Sequence, residues 1–180
     1  MLKKKLLPIL GLGLALGAPW AYAHNNSTQP DCPVQLLKSA APKPDVYWSL
    51  DASGSMGSTC SGCGGTPKYI VAKQAISNLV VDPVVGDDAI NYGYSEWSSQ
   101  RAGSCQAKRY VNIINDGKTG AAVQAAVAGM FPYANTPQNA ALIEANTYYT
   151  TIVKPNDTVA CRDYYVAMIT DGMWNCTGDP

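Results

Sequence analysis

Histidine is almost absent from this chain: His24 is the only one among 180 residues. A His-containing zinc site or a Ser-His hydrolase centre therefore has almost no raw material. An excess of one charge is lacking too. Lys and Arg total 13, and Asp and Glu total 13, so no basic balance is available to attract nucleic acid. A membrane-length apolar run is missing as well. The stretch Leu6 to Leu16 is too short and too glycine-rich for a comfortable span, and nothing later approaches the roughly 20 residues that a bilayer requires.

What that stretch does resemble is an export signal. Lys3-Lys4-Lys5 precede it and the small-residue site Ala21-Tyr22-Ala23 follows, so residues 1–23 are expected to be removed by cleavage after Ala23. Their loss leaves ten basic residues against thirteen acidic ones, a formal net charge of −3. The remaining residues, about 157, suffice for one domain with a real core. The mature product is expected to be soluble and exported to the periplasm, a pilus or the cell surface, with no transmembrane segment and no nucleic-acid partner.

Residues 24–44 are rich in Asn, Ser, Pro, Gln and Lys and read as a leader; residues 45–180 read as the domain. Asp45 to Leu50 is β-favouring and apolar, a first strand. Thr66 to Val81 carries Ala72, Ala75, Ile76, Leu79 and Val80 at helical spacing, with Pro67 one place after a Thr that can cap. Ala89 to Trp97 and Arg109 to Ile114 read as strands. Thr119 to Met130 and Pro137 to Tyr149 read as helices, the second with Pro behind Thr136. Tyr164 to Ile169 closes the series as a buried strand. This order predicts an α/β fold, a Rossmann-like and mostly parallel central sheet with helices on both faces. Right-handed crossovers would bring the ends of the first and last strands to one sheet edge, with the loop between the two later helices reaching the same edge.

The first strand runs directly into Asp51-Ala52-Ser53-Gly54-Ser55, a carboxylate and two hydroxyls at alternate positions. The small residues allow a tight turn in which these side chains converge. Oxygen-only donors suit a hard cation such as Mg²⁺, which prefers octahedral oxygen coordination and keeps several waters. The expected edge adds Thr136, in Asn135-Thr136-Pro137, and Asp171, in Thr170-Asp171-Gly172.

With those residues placed, the chain resembles a von Willebrand factor A domain, whose metal-ion-dependent adhesion site is written D-x-S-x-S, a distant Thr and a distant Asp. Asp51, Ser53, Ser55, Thr136 and Asp171 match the five positions, and the helix from Lys68 to Ala75 also looks like the family's first helix. Within the family, the signal peptide, the Cys-containing insertion after the first loop and the tail Thr170 to Asn175 look most like the N-terminal part of PilY-type type IV pilus tip proteins, which are exported adhesins and pilus-assembly factors. The resemblance implies Mg²⁺, with Mn²⁺ or Ca²⁺ as alternatives, held through the Ser and Thr hydroxyls with the carboxylates helping directly or through water. It also implies a partner, a protein ligand or pilus subunit, whose acidic group completes the coordination, and no enzymatic activity. A complete domain of that family continues through two more strands, so the resemblance implies that the last strands are missing beyond Pro180 and that Tyr164 to Ile169 is an uncovered apolar edge.

Plainer readings compete at each position. Ser and Gly after a strand often form only a turn, Thr136 before Pro137 is explained by helix capping, and Asp171-Gly172 by a strand-ending turn. A disulfide-stabilised pilus component without a working metal site would need nothing more. All six cysteines, Cys32, Cys60, Cys63, Cys105, Cys161 and Cys176, follow the cleavage site, so disulfides are the default in an oxidising compartment. Cys60-Ser61-Gly62-Cys63 ahead of a helix also has the spacing of a thiol-disulfide redox centre, the enzyme alternative. Topology places Cys32 and Cys161 before strands, at the edge opposite the metal loops, and favours their pairing; the other four cysteines have three possible pairings. Gly117-Lys118-Thr119 lacks the earlier Gly of a phosphate-binding loop, since Asn112 stands there. Tyr92, Tyr94 and Trp97 alternate along a strand and read as sheet or core rather than a sugar platform.

Overall fold

The computed structural model describes residues 42–176. The expected export signal, most of the leader and Cys32 lie outside the described residues, and so does the Cys32 side of its expected pairing with Cys161, which is itself disulfide-bonded.

Four strands form one mixed sheet: β1 (Asp45–Asp51), β2 (Asn91–Trp97), β3 (Ala107–Val111) and β4 (Tyr164–Ile169), in the order β3-β2-β1-β4. β1 pairs in parallel with both β2 and β4, while β3 runs antiparallel to β2. The longer helices that connect them are α1 (Lys68–Leu79), α2 (Gly120–Ala128) and α3 (Gln138–Tyr148), the last continued by helical turns through Asn156. This is the α/β arrangement expected from the order of elements.

Side-chain alternation along β1 explains the layers, because successive residues face opposite sides of a sheet. Leu50, flanked by the partly buried Val46 and Trp48, packs with Ala72, Ile76 and Val80 of the α1 side and Val123 and Val127 of α2. Tyr47 faces the other way, into Ala145, Tyr148, Tyr149 and Val153 of α3 and the turn after it. Helices thus cover both faces. Tyr92, Tyr94 and Trp97 are fully buried, so they are core and no sugar platform. Thr119 is structural as well: its hydroxyl donates to the Tyr92 carbonyl, and its N–H and that of Gly120 donate to the Asp87 carboxylate, which caps α2 from outside.

Element boundaries moved where tertiary bonds replaced local ones. α1 begins at Lys68 rather than Thr66, because the Thr66 carbonyl accepts the Cys60 N–H and Thr59 bridges Pro67, keeping that segment extended. Neither α1 nor α3 carries a side-chain cap, so the capping roles expected of Thr66 and Thr136 are not used. β3 lies at Ala107–Val111 rather than 109–114, since the chain leaves the ladder and the Ile113 N–H donates to the Tyr148 hydroxyl instead. β4 is an edge strand among the described residues, with Tyr165 and Val166 exposed. No helix there is long and apolar enough to cross a membrane.

The end of the sheet where β1 starts is pinned by charge. The Arg162 side chain is fully buried, with Nε 2.8 Å from Asp157 Oδ2, Nη1 3.8 Å from Asp45 Oδ1 and Nη2 3.3 Å from Asp116 Oδ2. Burial pushes the Asp45 carboxyl up to about 6, against the lowering effects of its Asn91 hydrogen bond and of Arg162. Removing one partner of a buried ionic cluster strands the others without compensation. Arg162→Met should therefore lower unfolding free energy by about 3–5 kcal/mol; in urea denaturation, a loss below about 1 kcal/mol would show that the cluster does not hold this end of the sheet.

Candidate metal centre

The opposite end of the sheet collects three loops. Parallel register places Leu50 beside Ile169 and Asp51 beside Trp97, so the chain leaves β1, β2 and β4 at one edge, where open α/β sheets bind ligands. The first loop tightens into a 3-10 turn at Gly54–Gly57. Its Gly54 N–H donates to the Ala134 carbonyl at 2.9 Å, and a Cβ on Gly54 would come within 3.3 Å of that same oxygen. A residue without a side chain is what allows the first and second loops this close approach. Ala134 itself has φ 37°, a left-handed conformation costly for alanine and held here by its neighbours.

Asp51 ends β1 fully buried. One carboxylate oxygen accepts the Ser53 N–H at 2.7 Å, and the other accepts the Thr170 hydroxyl at 2.7 Å. Burial raises its pKa, with those two hydrogen bonds opposing the shift and the Asp171 charge adding to it. Asp51 is therefore a buried anchor that fixes the first loop against the third. Ser53 Oγ lies 3.0 Å from Ser55 Oγ, and the Ser55 hydroxyl donates to Asp171 Oδ1 at 2.7 Å. A hydroxyl has one proton, so Ser53 is the donor within the serine pair. The second oxygen of Asp171 receives the Lys68 ammonium at 2.6 Å.

Thr136 reaches the edge through its backbone. Its N–H donates to Asn175 Oδ1 at 2.6 Å, and its carbonyl accepts the Asn175 N–H at 3.2 Å. Gln138 Nε2 adds a bond to the Gly172 carbonyl at 2.7 Å. Thr136 itself is 4% exposed. The Cys105–Cys176 disulfide closes the far end of the third loop, and Cys60 pairs with Cys63 in the exposed insertion after the first. Neither Cys60 nor Cys63 falls in the first turn of α1, which begins at Lys68.

All five residues expected from sequence thus lie on the three loops of one edge. Asp51, Ser53, Ser55 and Asp171 form one hydrogen-bonded chain with Thr170, while Thr136 is tied to the same loops by main chain. Among the described residues no group of three or more His, Cys, Asp or Glu side chains is placed to hold a metal; here two carboxylates are supplemented by hydroxyls. Such a donor set fits a hard, partly hydrated cation, and a cationic group already rests on Asp171. Three contributors escaped the sequence reading. Thr170 and Asn175 are ordinary loop residues whose roles exist only once the loops meet. Lys68 carries one local signal, a basic residue opening a helix where the macrodipole disfavours positive charge.

No protein-family model matches the sequence, and no curated protein matches it. Solved structures do share its fold. The pilus adhesin SpaC from Lactobacillus rhamnosus GG aligns with a TM-score of 0.56 and 20% identity over 76% of this chain and 16% of that one. The PilB minor pilin from Streptococcus sanguinis gives 0.54 and 17% over 76% of this chain and 31% of the other. The vWF domain of the type V pili tip protein Mfa5 from Porphyromonas gingivalis gives 0.52 and 15% over 76% and 40%. The chain spans under half the length of these structures, and what it shares with them is the α/β fold, which in the Mfa5 structure is that of a vWF domain.

The Thr170 hydroxyl is the side-chain link between the first and third loops at Asp51. Thr170→Val keeps the shape and removes the donor, leaving a buried carboxylate oxygen unsatisfied, a loss worth about 1–3 kcal/mol. Urea denaturation checks this; unchanged stability would mean that Asp51 does not depend on Thr170.

Proposed function

We propose that this chain is an exported, pilus-associated adhesion module of the von Willebrand factor A type, most like the PilY-type tip proteins, which grips a protein partner through a divalent cation. The observation that carries this reading is the convergence at one sheet edge of Asp51, Ser53, Ser55 and Asp171, with Thr136 fixed beside them. The pilus adhesin, minor pilin and pilus tip structures of the same fold support the setting. Ser53, Ser55 and Thr136 would present hydroxyls to Mg²⁺, or to Mn²⁺ or Ca²⁺, with Asp51 and Asp171 balancing its charge. When bound, the ion supplies Lewis acidity toward an acidic group of a partner, such as a host protein or another pilus subunit.

The reading assigns the chain no catalysis. The protein's own residues orient and neutralise: Asp51 holds the first loop in shape from beneath, and Asp171 would meet the cation from the third loop. A purely structural pilus component is the second reading, favoured by the Cys105–Cys176 disulfide, which braces the third loop without any ion.

Thermal unfolding with Mg²⁺ and with EDTA separates the two. Mg²⁺ at about a hundred times its Kd should add about 2.7 kcal/mol, because it binds the native state alone. That corresponds to a rise in Tm of several degrees. The double substitution Ser53→Ala with Ser55→Ala keeps both carboxylates and should abolish the Mg²⁺-dependent rise. An unchanged rise in the double variant would contradict the assignment of these hydroxyls, and a wild-type Tm indifferent to Mg²⁺ would favour the structural reading.

A further inference from the structure

Asp171 is the more exposed of the two carboxylates at the site, and its charge is already answered from within the chain. Lys68 Nζ lies 2.6 Å from Asp171 Oδ2, with the Lys68 side chain 35% exposed and that of Asp171 only 9%. Asp51 and Asp171 together carry two negative charges, and the ammonium leaves one. Lys68 opens α1, and no acidic residue lies in that first turn. A basic residue there works against the helix dipole. Local preference does not account for its position, but the carboxylate across from it does.

The backbone of Lys68 is held to the metal loop. Its N–H donates to the Ser58 carbonyl at 3.0 Å, Thr59 bridges Pro67, and the Cys60 N–H reaches the Thr66 carbonyl at 2.9 Å. The Cys60–Cys63 disulfide closes the small loop between those last contacts. The insertion thus fixes where the side chain starts, while a flexible four-carbon stem leaves the ammonium free to turn outward into water.

We propose that Lys68 is a tethered counter-cation for this site: it neutralises Asp171 while no divalent ion is bound, must swing away when one binds, and so sets the concentration at which the site fills. This rests on the divalent-cation reading and adds the residue that regulates it. The competition weakens Mg²⁺ binding because each binding event first breaks the Lys68–Asp171 pair. It also protects the empty site, since Asp171 without Lys68 would face Asp51 uncompensated.

The test uses the full oxidised chain as wild type, Lys68→Met and Lys68→Arg, with Mg²⁺ binding read by isothermal titration calorimetry and Tm read in EDTA. A partly exposed ion pair predicts that Lys68→Met binds Mg²⁺ roughly fivefold more tightly than wild type. In EDTA the same variant should melt about 2 °C lower, and Mg²⁺ should more than restore it. Lys68→Arg keeps the charge and should remain close to wild type in both readouts. Binding by Lys68→Met that is equal to or weaker than binding by wild type would overturn the proposal while leaving the metal site standing. No heat of binding from any of the three proteins in tens of millimolar Mg²⁺ would overturn the metal reading and this proposal with it.

Discussion

Because β1 is paired in parallel on both sides, the chain must leave β1, β2 and β4 at the same edge, and that constraint sets the Asp51 turn beside the turn after β4, with the loop between α2 and α3 adding Thr136. A strand flanked by parallel neighbours is buried on both faces and needs a crossover helix for each connection. Those crossovers occupy the faces of the sheet, where the two apolar clusters form. What is left at the edge is polar, short and made of loops: the Asp51 turn, the turn that ends at Thr136 and the turn that follows β4. Register then decides which side chains meet. A slip of one residue in the β1–β4 pairing would turn every side chain of one strand to the opposite face, and Thr170 would no longer stand opposite Asp51.

Charge is divided between the two ends of the sheet in different ways. Where β1 begins, the Arg162 side chain is fully buried and paired with Asp45, Asp116 and Asp157, an arrangement that resists change because, among the described residues, the buried guanidinium has its charge answered only there. Where β1 ends, Lys68 is partly exposed, on a flexible stem, and among the described residues pairs with Asp171 alone. The first end is built to stay shut. The second rests on a partly exposed ammonium that can turn into water, which is what the proposed cation-dependent contact requires.

The order of elements was legible because each strand and helix has a clear period bounded by turn residues, and the bounds of Tyr164–Ile169 were recovered because an apolar run ends in Thr-Asp-Gly, although the strand lies at the sheet edge with none of its residues buried, where the apolar run suggested a buried strand. The shared edge of the five expected residues was legible for a related reason: the small residues around Asp51 and the Pro after Thr136 mark loops, and topology puts those loops together. What local sequence could not supply was anything decided by a distant bond. Thr66 looks like a cap, but its carbonyl is taken by Cys60. The segment from Asn112 to Ile114 looks like strand, but Tyr148 draws Ile113 out of the ladder. Asn175 and Thr170 look like any loop residues until their partners arrive, and the pairing of Cys105 with Cys176 spans 71 positions. Lys68 was the one missed residue with a warning attached, a positive charge at the wrong end of a helix.

The most direct test of the account is the anomalous difference density of crystals grown from the oxidised chain and soaked in Mn²⁺. The account predicts one strong peak at the sheet edge among Ser53, Ser55, Thr136 and Asp171, with the Lys68 side chain turned away from Asp171. Density at other sites only, or Lys68 still seated on Asp171 beneath an empty map, would contradict it.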